Sequence, residues 1–271
     1  MEPRNQPDPG QREADILDGR TRKVKPEAGF HGVPPPLDWA TFMSDFILAL
    51  PILMFSLVAH EYAHARTALW QGDDTAYMLG RVTLNPLPHI DPIMTVLLPA
   101  VLWLTSGGTF VFGGAKPVPV VPRKYRHYVR GDLIVSSAGV ITNFGLSFVC
   151  AGIFALLGLL ATALPNLGDG LAILQRMMLR GVWLNLVLCV FNLIPIPPLD
   201  GSHLLYHMLP PAWGTRFRQI GQFGFIPLMI LLMFFGPVIS FLLSPATWGF
   251  SHFYGVLSQY GIGDVWDFTR G

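Results

Sequence analysis

The sequence has few charged residues and few cysteines. Charged side chains make up only 13% of its 271 residues, whereas about 25% is usual in soluble domains. The two cysteines, Cys150 and Cys189, both lie in apolar segments and are predicted to be small core residues, not a disulfide or a metal pair. The formal net charge of +1, without a basic arm, indicates no nucleic-acid partner. Hydrophobic residues reach 51%, so we expect an integral membrane protein in contact with a lipid bilayer.

Five long apolar segments account for this composition. Each is near the ~20 residues that a helix needs to span a bilayer, and they are 42–70, 92–113, 133–164, 172–196 and 222–243. We therefore predict an all-α polytopic membrane protein with four to five transmembrane segments. The polar, proline-rich stretch 1–38 is predicted to be a mobile tail without a signal peptide. The membrane-embedded domain would then cover 39–245, followed by a short C-terminal tail at 246–271.

The first apolar segment contains the sequence His-Glu-Tyr-Ala-His at 60–64. Residues i and i+4 lie one above the other on a helix, so His60 and His64 present two imidazoles to one point. Neutral imidazole is a good zinc ligand. Glu61 lies beside the pair, where it can take a proton from a water at the metal. Because charged groups in an apolar helix are costly unless they have a function, this pattern predicts a catalytic zinc site.

A second polar site follows the fourth apolar segment, where residues 192–201 read Asn-Leu-Ile-Pro-Ile-Pro-Pro-Leu-Asp-Gly. The prolines cannot continue a regular helix, and irregular backbone at membrane depth is tolerated only where it is buried or lines a wet cavity. Asp200 is a hard oxygen ligand that, with two histidines, gives three protein ligands and an open fourth position, as in catalytic zinc sites. A helix-end or turn carboxylate is the alternative for Asp200.

Together the two motifs resemble the site-2 protease family of intramembrane zinc metalloproteases, in which an HExxH helix is completed by the Asp of an NxxPxPxLDG motif. The resemblance implies one Zn²⁺ per chain with His60, His64 and Asp200 as ligands. It implies Glu61 as the catalytic base and Asn192 as the residue that holds the substrate backbone or the oxyanion. The reaction would be hydrolysis of peptide bonds in or near transmembrane segments of membrane-protein substrates, as in regulated intramembrane proteolysis.

The resemblance extends over about residues 40–245. The stretch 137–144 resembles the family's AGPxxN segment, with Val140 in place of the usual proline. Stretches 84–86, 89–92 and 114–120 resemble the compact bacterial branch of the family, which lacks a PDZ domain. This branch implies a bacterial cell membrane as the location.

The two motifs must meet at one depth in the membrane. Both lie near the C-terminal ends of their segments, so the first and fourth segments should run in the same direction, and 92–113 is predicted to be a re-entrant hairpin or a broken helix. The alternative is that 92–113 spans fully, with His60 and His64 close to the middle of the bilayer. The basic loop 114–130 would then lie on the cytoplasmic side with the active site, following the positive-inside tendency. A short strand is predicted at 81–84. It could offer an edge to an extended substrate, or it could be a structural hairpin.

Two other functions are compatible with the motifs: a membrane metal-binding or transport protein, and an inactive homologue that binds transmembrane helices. A transporter should carry acidic or histidine residues along several helices, whereas this chain concentrates them in one cluster. Four further residues have weaker predictions. We expect His89 with Asp91 to satisfy a buried turn, Asn143 to hydrogen-bond across helices, and His203 to be a hydrogen-bonded core residue. The substrate, the trigger and the oligomeric state have no sequence signal.

Overall fold

The computed structural model describes residues 39–97, 101, 114–263 and 265. The seven longer α-helices are α1 (Trp39–Gln71), α2 (Tyr128–Ala163), α3 (Gly168–Asn192), α4 (Gly201–Met208), α5 (Pro211–Ile220), α6 (Ile226–Phe234) and α7 (Gly236–Leu257). Over these described ranges no strand is formed. Ile47–Gln71, Tyr128–Ala163 and Pro165–Asn192 are long and apolar enough to cross a membrane, and α5 with α6 is a fourth candidate. The prediction of an all-α polytopic membrane protein is confirmed.

α1, α2 and α3 pack together as the centre of the fold. Ile52 lies against Gly181, and one turn further along both helices Asn185 Nδ2 donates to Ser56 Oγ at 2.9 Å. Because the contacting residue numbers rise together along the two helices, α1 and α3 run in the same direction, as the sequence predicts. α2 runs the opposite way, because its early residue Val135 contacts the late α1 residue His64.

The chain between α1 and α2 leaves and returns at the same end of the bundle. At this end Arg126 N donates to Gln71 O at 2.8 Å. A segment that starts and finishes on one side makes no net crossing, which agrees with the reasoning behind the re-entrant prediction. The segment predicted to be re-entrant, 92–113, lies mostly outside the described residues, apart from a wide helical turn at Pro92–Leu97. The predicted tail 1–38 also lies outside them.

The main hydrophobic core forms where α2, α3 and α7 meet. Its fully buried members include Phe154, Leu179, Val182 and Ala246, and Leu257 and Val265 also belong to it. Gln175 lies at the edge of this core with no solvent exposure. Its side-chain amide donates to the carbonyls of Phe154 and Tyr260 and accepts from Ile262 N at 2.9 Å. These bonds attach the end of the described chain to the bundle.

Two local predictions differ from the structure. Residues 81–84 form bends instead of a strand. Arg81 donates through Nη2 to Lys116 O at 2.8 Å, but the extended chain opposite contains Pro117 and Pro119, which have no N–H for a ladder. The last predicted span, 222–243, is divided into α6 and α7. Gly236-Pro237 at the start of α7 accounts for the division, because proline favours the first turn of a helix over its interior.

The helices before this division are also not straight. α5 with its following turn and α6 are bent by 81° at the break between them. Gly224 lies at this break with a φ of 57°, a left-handed conformation that glycine adopts without strain. The exposed surface of α2 is apolar and includes Ile141, Phe144 and Phe148. Side chains of this kind suit contact with lipid.

Candidate metal centre

The two histidines of α1 lie side by side in the interior of the bundle. His60 Nε2 and His64 Nε2 are 3.0 Å apart, and both side chains are buried. His64 Nδ1 lies 2.7 Å from the carbonyl oxygen of Val135. Because that oxygen can only accept, the proton is on Nδ1 and the lone pair of Nε2 is free for a metal. The spacing of the motif therefore produces two converging nitrogen atoms, as predicted.

Asp200 reaches the same point from the loop after α3. Its Oδ2 atom is 3.2 Å from His60 Nε2 and 3.3 Å from His64 Nε2. This oxygen is buried and has no hydrogen-bond donor among the described residues. A carboxylate binds a metal in its ionised form, so Asp200 is suited to be the third ligand.

Turns in the proline-rich loop position this carboxylate. Ile196 N donates to Ile194 O at 2.8 Å, and Leu199 N donates to Ile196 O at 2.9 Å. Asp200 follows directly and precedes α4. A Cβ at Gly201 would lie 2.1 Å from Leu193 O, so only glycine allows the loop to fold back this tightly.

The residues present fit a zinc ion. Within the described part of the chain, His60, His64 and Asp200 are the one group of three side chains whose ligand atoms all lie within 4.8 Å of one another. Two imidazoles and a carboxylate are a donor set found in catalytic zinc sites. α2 also leaves room beside them: a Cβ at Gly139 would lie 2.5 Å from His60 Cε1 and from His64 Nε2.

Glu61 lies next to this cluster but is held by a different part of the chain. Its Oε2 atom accepts a hydrogen bond from Val118 N at 2.7 Å. Val118 belongs to the stretch 114–121, which forms neither helix nor turn and whose prolines favour an extended backbone. Glu61 is half-buried and directly follows His60 in the chain, so it is compatible with a general base.

Asn192 does not join the cluster through a hydrogen bond in this structure. It is the last residue of α3, and its Nδ2 donates to Leu188 O at 2.9 Å, one turn earlier in the same helix. The side chain is half-buried. Its role toward substrate stays a prediction.

The weaker sequence predictions have mixed outcomes. His89 is buried, with Nε2 3.1 Å from Thr83 O, so it satisfies a buried turn. His203 Nδ1 is 3.2 Å from Asp132 Oδ2, but its side chain is 41% exposed and it is not a core residue. Asn143 is fully buried, yet its amide has no hydrogen-bond partner among the described residues, contrary to the cross-helix bond predicted for it.

Sequence reasoning missed a second polar cluster close to the first. Asp132, buried near the start of α2, lies between two histidines of α4: His203 and His207, the latter with Nε2 at 2.7 Å from Asp132 Oδ2. The cluster joins the helix that follows Asp200 to the helix that carries Gly139. The i, i+4 spacing of the two histidines indicates a pair on one helix face. Their partner Asp132 could not be inferred because it is far away along the chain.

Comparisons with known proteins agree with this geometry. The model of a family described as Peptidase family M50 matches residues 166–235. The "Putative zinc metalloprotease YwhC" of Bacillus subtilis (strain 168) is 37% identical over 193 residues, which are 71% of this chain and 82% of the relative. The "Putative zinc metalloprotease Rip2" of Mycolicibacterium smegmatis is 32% identical over 193 residues, 71% of this chain and 69% of the relative. A protein of the same name from Mycobacterium tuberculosis (strain H37Rv) is 31% identical over 189 residues, 69% of this chain and 67% of the relative. No solved structure matches significantly.

Proposed function

We propose, from the premise that the chain belongs to peptidase family M50, the site-2 protease family, that this metalloprotease cleaves within membranes. Its substrates would be membrane proteins, cut in or near their transmembrane segments, as in regulated intramembrane proteolysis. The observation that carries the proposal is the meeting of His60, His64 and Asp200 inside a bundle of helices long enough to cross a bilayer. Water and a metal would then act at the depth where such substrates lie.

We assign one zinc ion to Nε2 of His60, Nε2 of His64 and the carboxylate of Asp200. When bound, zinc supplies Lewis acidity, which lowers the pKa of a bound water from ~15.7 towards ~7 and polarises the scissile carbonyl. The chain's own contribution is to hold the three ligand atoms together. The hydrogen bond from His64 to Val135 O maintains the tautomer that this binding needs.

Glu61 is the general base in this proposal. Its carboxylate takes a proton from the attacking water and later gives it to the leaving amine. Asn192 would turn its amide from Leu188 O to the oxygen on which negative charge develops, where a donor is most useful. Glu61 directly follows the ligand His60, and Asn192 ends the helix before the loop that carries Asp200, which supports these two roles.

The proposed location is the bacterial cell membrane, with the active site towards the cytoplasm. The basic residues Arg123, Lys124, Arg126 and Arg130 lie near the start of α2. That is the end of the bundle at which His64 contacts Val135. Positively charged segments are retained on the cytoplasmic side during insertion. The partners are then the lipid bilayer and transmembrane substrates, without a nucleic acid.

The test combines zinc content with cleavage of a model transmembrane substrate. Wild type, Glu61→Gln, Asp200→Ala and the exposed-carboxylate control Asp74→Asn would be purified in detergent and assayed together. We expect about one zinc per chain and cleavage for the wild type and the control. Glu61→Gln should keep zinc without cleaving, and Asp200→Ala should lose zinc. Cleavage by Glu61→Gln at the wild-type rate would contradict the mechanism, and zinc without any cleavage by the wild type would favour a binding or transport protein.

A further inference from the structure

We infer that the backbone N–H of Val118 is a positioning group for Glu61, an inference that rests on the proposed function. Val118 N lies 2.7 Å from Glu61 Oε2, and the two residues are 57 positions apart in the chain. A hydrogen bond to a charged group is worth more than one between neutral groups. The bond from Val118 occupies Oε2 of Glu61 and leaves Oε1 for water and the leaving amine.

The extended chain at 114–121 is itself fixed on both sides of Val118. On one side Lys116 N donates to His89 O at 2.7 Å, and Arg81 Nη2 donates to Lys116 O. On the other side Val121 N donates to Asp73 Oδ2 at 2.6 Å, and Asp73 is fully buried. The Val118 donor therefore belongs to a held backbone, not to a loop that follows the movements of the glutamate.

The prolines on both sides of Val118 cannot replace it as the hydrogen-bond donor to Glu61. Pro117 and Pro119 have no backbone N–H, and each restricts its own φ and the conformation of the residue before it. Val118 thus supplies the one N–H in the stretch 117–119. A shift of the chain by a single residue would place a proline opposite the carboxylate and remove the donor.

Positioning of this kind is expected to act on the chemical step. A glutamate side chain has several rotatable bonds, and its terminal torsion is broad. Holding one oxygen removes part of this freedom before the substrate arrives, which is the advantage of preorganised catalytic groups. Loss of the N–H should therefore lower kcat, whereas zinc binding and KM depend on other atoms.

The kinetic test removes the donor by replacing Val118 with proline, which has no N–H and is tolerated in extended backbone. Val118→Pro removes the N–H. Val118→Ala keeps it and is the conservative variant, and Val120→Pro introduces a proline ring two residues later. We expect Val118→Pro to lower kcat by about 10- to 100-fold with KM and zinc content unchanged. We expect the kcat of Val118→Ala to be at least tenfold higher than that of Val118→Pro. An equal loss of kcat in Val120→Pro, or a kcat of Val118→Pro equal to or above that of the wild type, would overturn the inference.

A second measurement does not depend on activity. Because the stretch 117–119 contains a single amide proton, hydrogen exchange there reports on Val118 alone. We expect this amide to exchange at least tenfold more slowly in the wild type than in Glu61→Ala, both with zinc bound. Equal exchange rates would overturn the inference even if the wild type cleaves its substrate. Slow exchange in a wild type that binds zinc but cleaves nothing would instead contradict the proposed function alone.

Discussion

Replacement of Gly139 by alanine should remove the metal from a folded protein. The added Cβ would lie 2.5 Å from His60 Cε1 and His64 Nε2, whereas carbon atoms in contact are about 3.5–4.0 Å apart. The imidazoles would have to move by about 1 Å. His64 cannot move freely because its Nδ1 is bonded to Val135 O, one turn earlier on the helix that carries Gly139.

The expected effect of Gly139→Ala has two parts, a change in stability and a loss of activity. Alanine in place of glycine favours a helix by up to ~1 kcal/mol, while overpacking costs about 1–3 kcal/mol. The net loss of stability is then at most about 3 kcal/mol, which is less than the roughly 5–15 kcal/mol that is typical of a folded domain. A displacement of about 1 Å in a catalytic group costs on the order of 10²-fold in rate, and we expect at least that loss together with loss of zinc.

The assay measures zinc per chain, cleavage and the midpoint of thermal unfolding for Gly139→Ala and a matched control. Gly145→Ala lies on the same helix with no atom within 4 Å of its added Cβ. It should keep zinc and activity and be as stable as the wild type or up to ~1 kcal/mol more stable. Full zinc content and near wild-type cleavage in Gly139→Ala would refute the reasoning that α2 closes tightly over the two histidines.

Three further substitutions test other parts of the fold. Gly201→Ala would place a Cβ 2.1 Å from the backbone oxygen of Leu193, which cannot rotate away. We expect a fall in both folded yield and zinc content, and normal values for both would contradict the tight turn. Asp132→Asn weakens the hydrogen bond with His207 at 2.7 Å and should destabilise the protein by about 1–3 kcal/mol, seen as a lower thermal midpoint. Gln175→Leu removes three hydrogen bonds at the C-terminal end of the described chain and should cost about 2–4 kcal/mol. Limited proteolysis should then cut near residue 260 sooner than in wild type, and an unchanged cleavage rate would contradict that role.

The metal cluster could be predicted because its geometry is mostly local. Two histidines four residues apart on a helix converge whatever the surroundings, and the proline-rich loop identified Asp200 as a residue at unwound backbone. The requirement that the motifs meet at one depth also predicted that α1 and α3 run in the same direction. These inferences need only the helix repeat, the conformational limits of proline and the thickness of a bilayer.

The parts that could not be predicted depend on contacts between distant segments. The close approach of Gly139 to His60 follows from the register of α2 against α1, which the sequence does not display. The bond from Val118 to Glu61 requires the path of a loop that leaves the bundle and returns. The strand predicted at 81–84 failed because its pairing partner contains two prolines, so local propensity was not supported by a ladder.

Those two prolines also limit how an extended peptide could pair with this part of the chain. Pro117 and Pro119 have no N–H, and the N–H of Val118 between them is bonded to Glu61. A peptide lying beside 117–119 could therefore donate hydrogen bonds to the backbone carbonyls but receive none, and would form only half of a β-ladder. We expect such pairing to be weaker than pairing with the edge of a regular sheet.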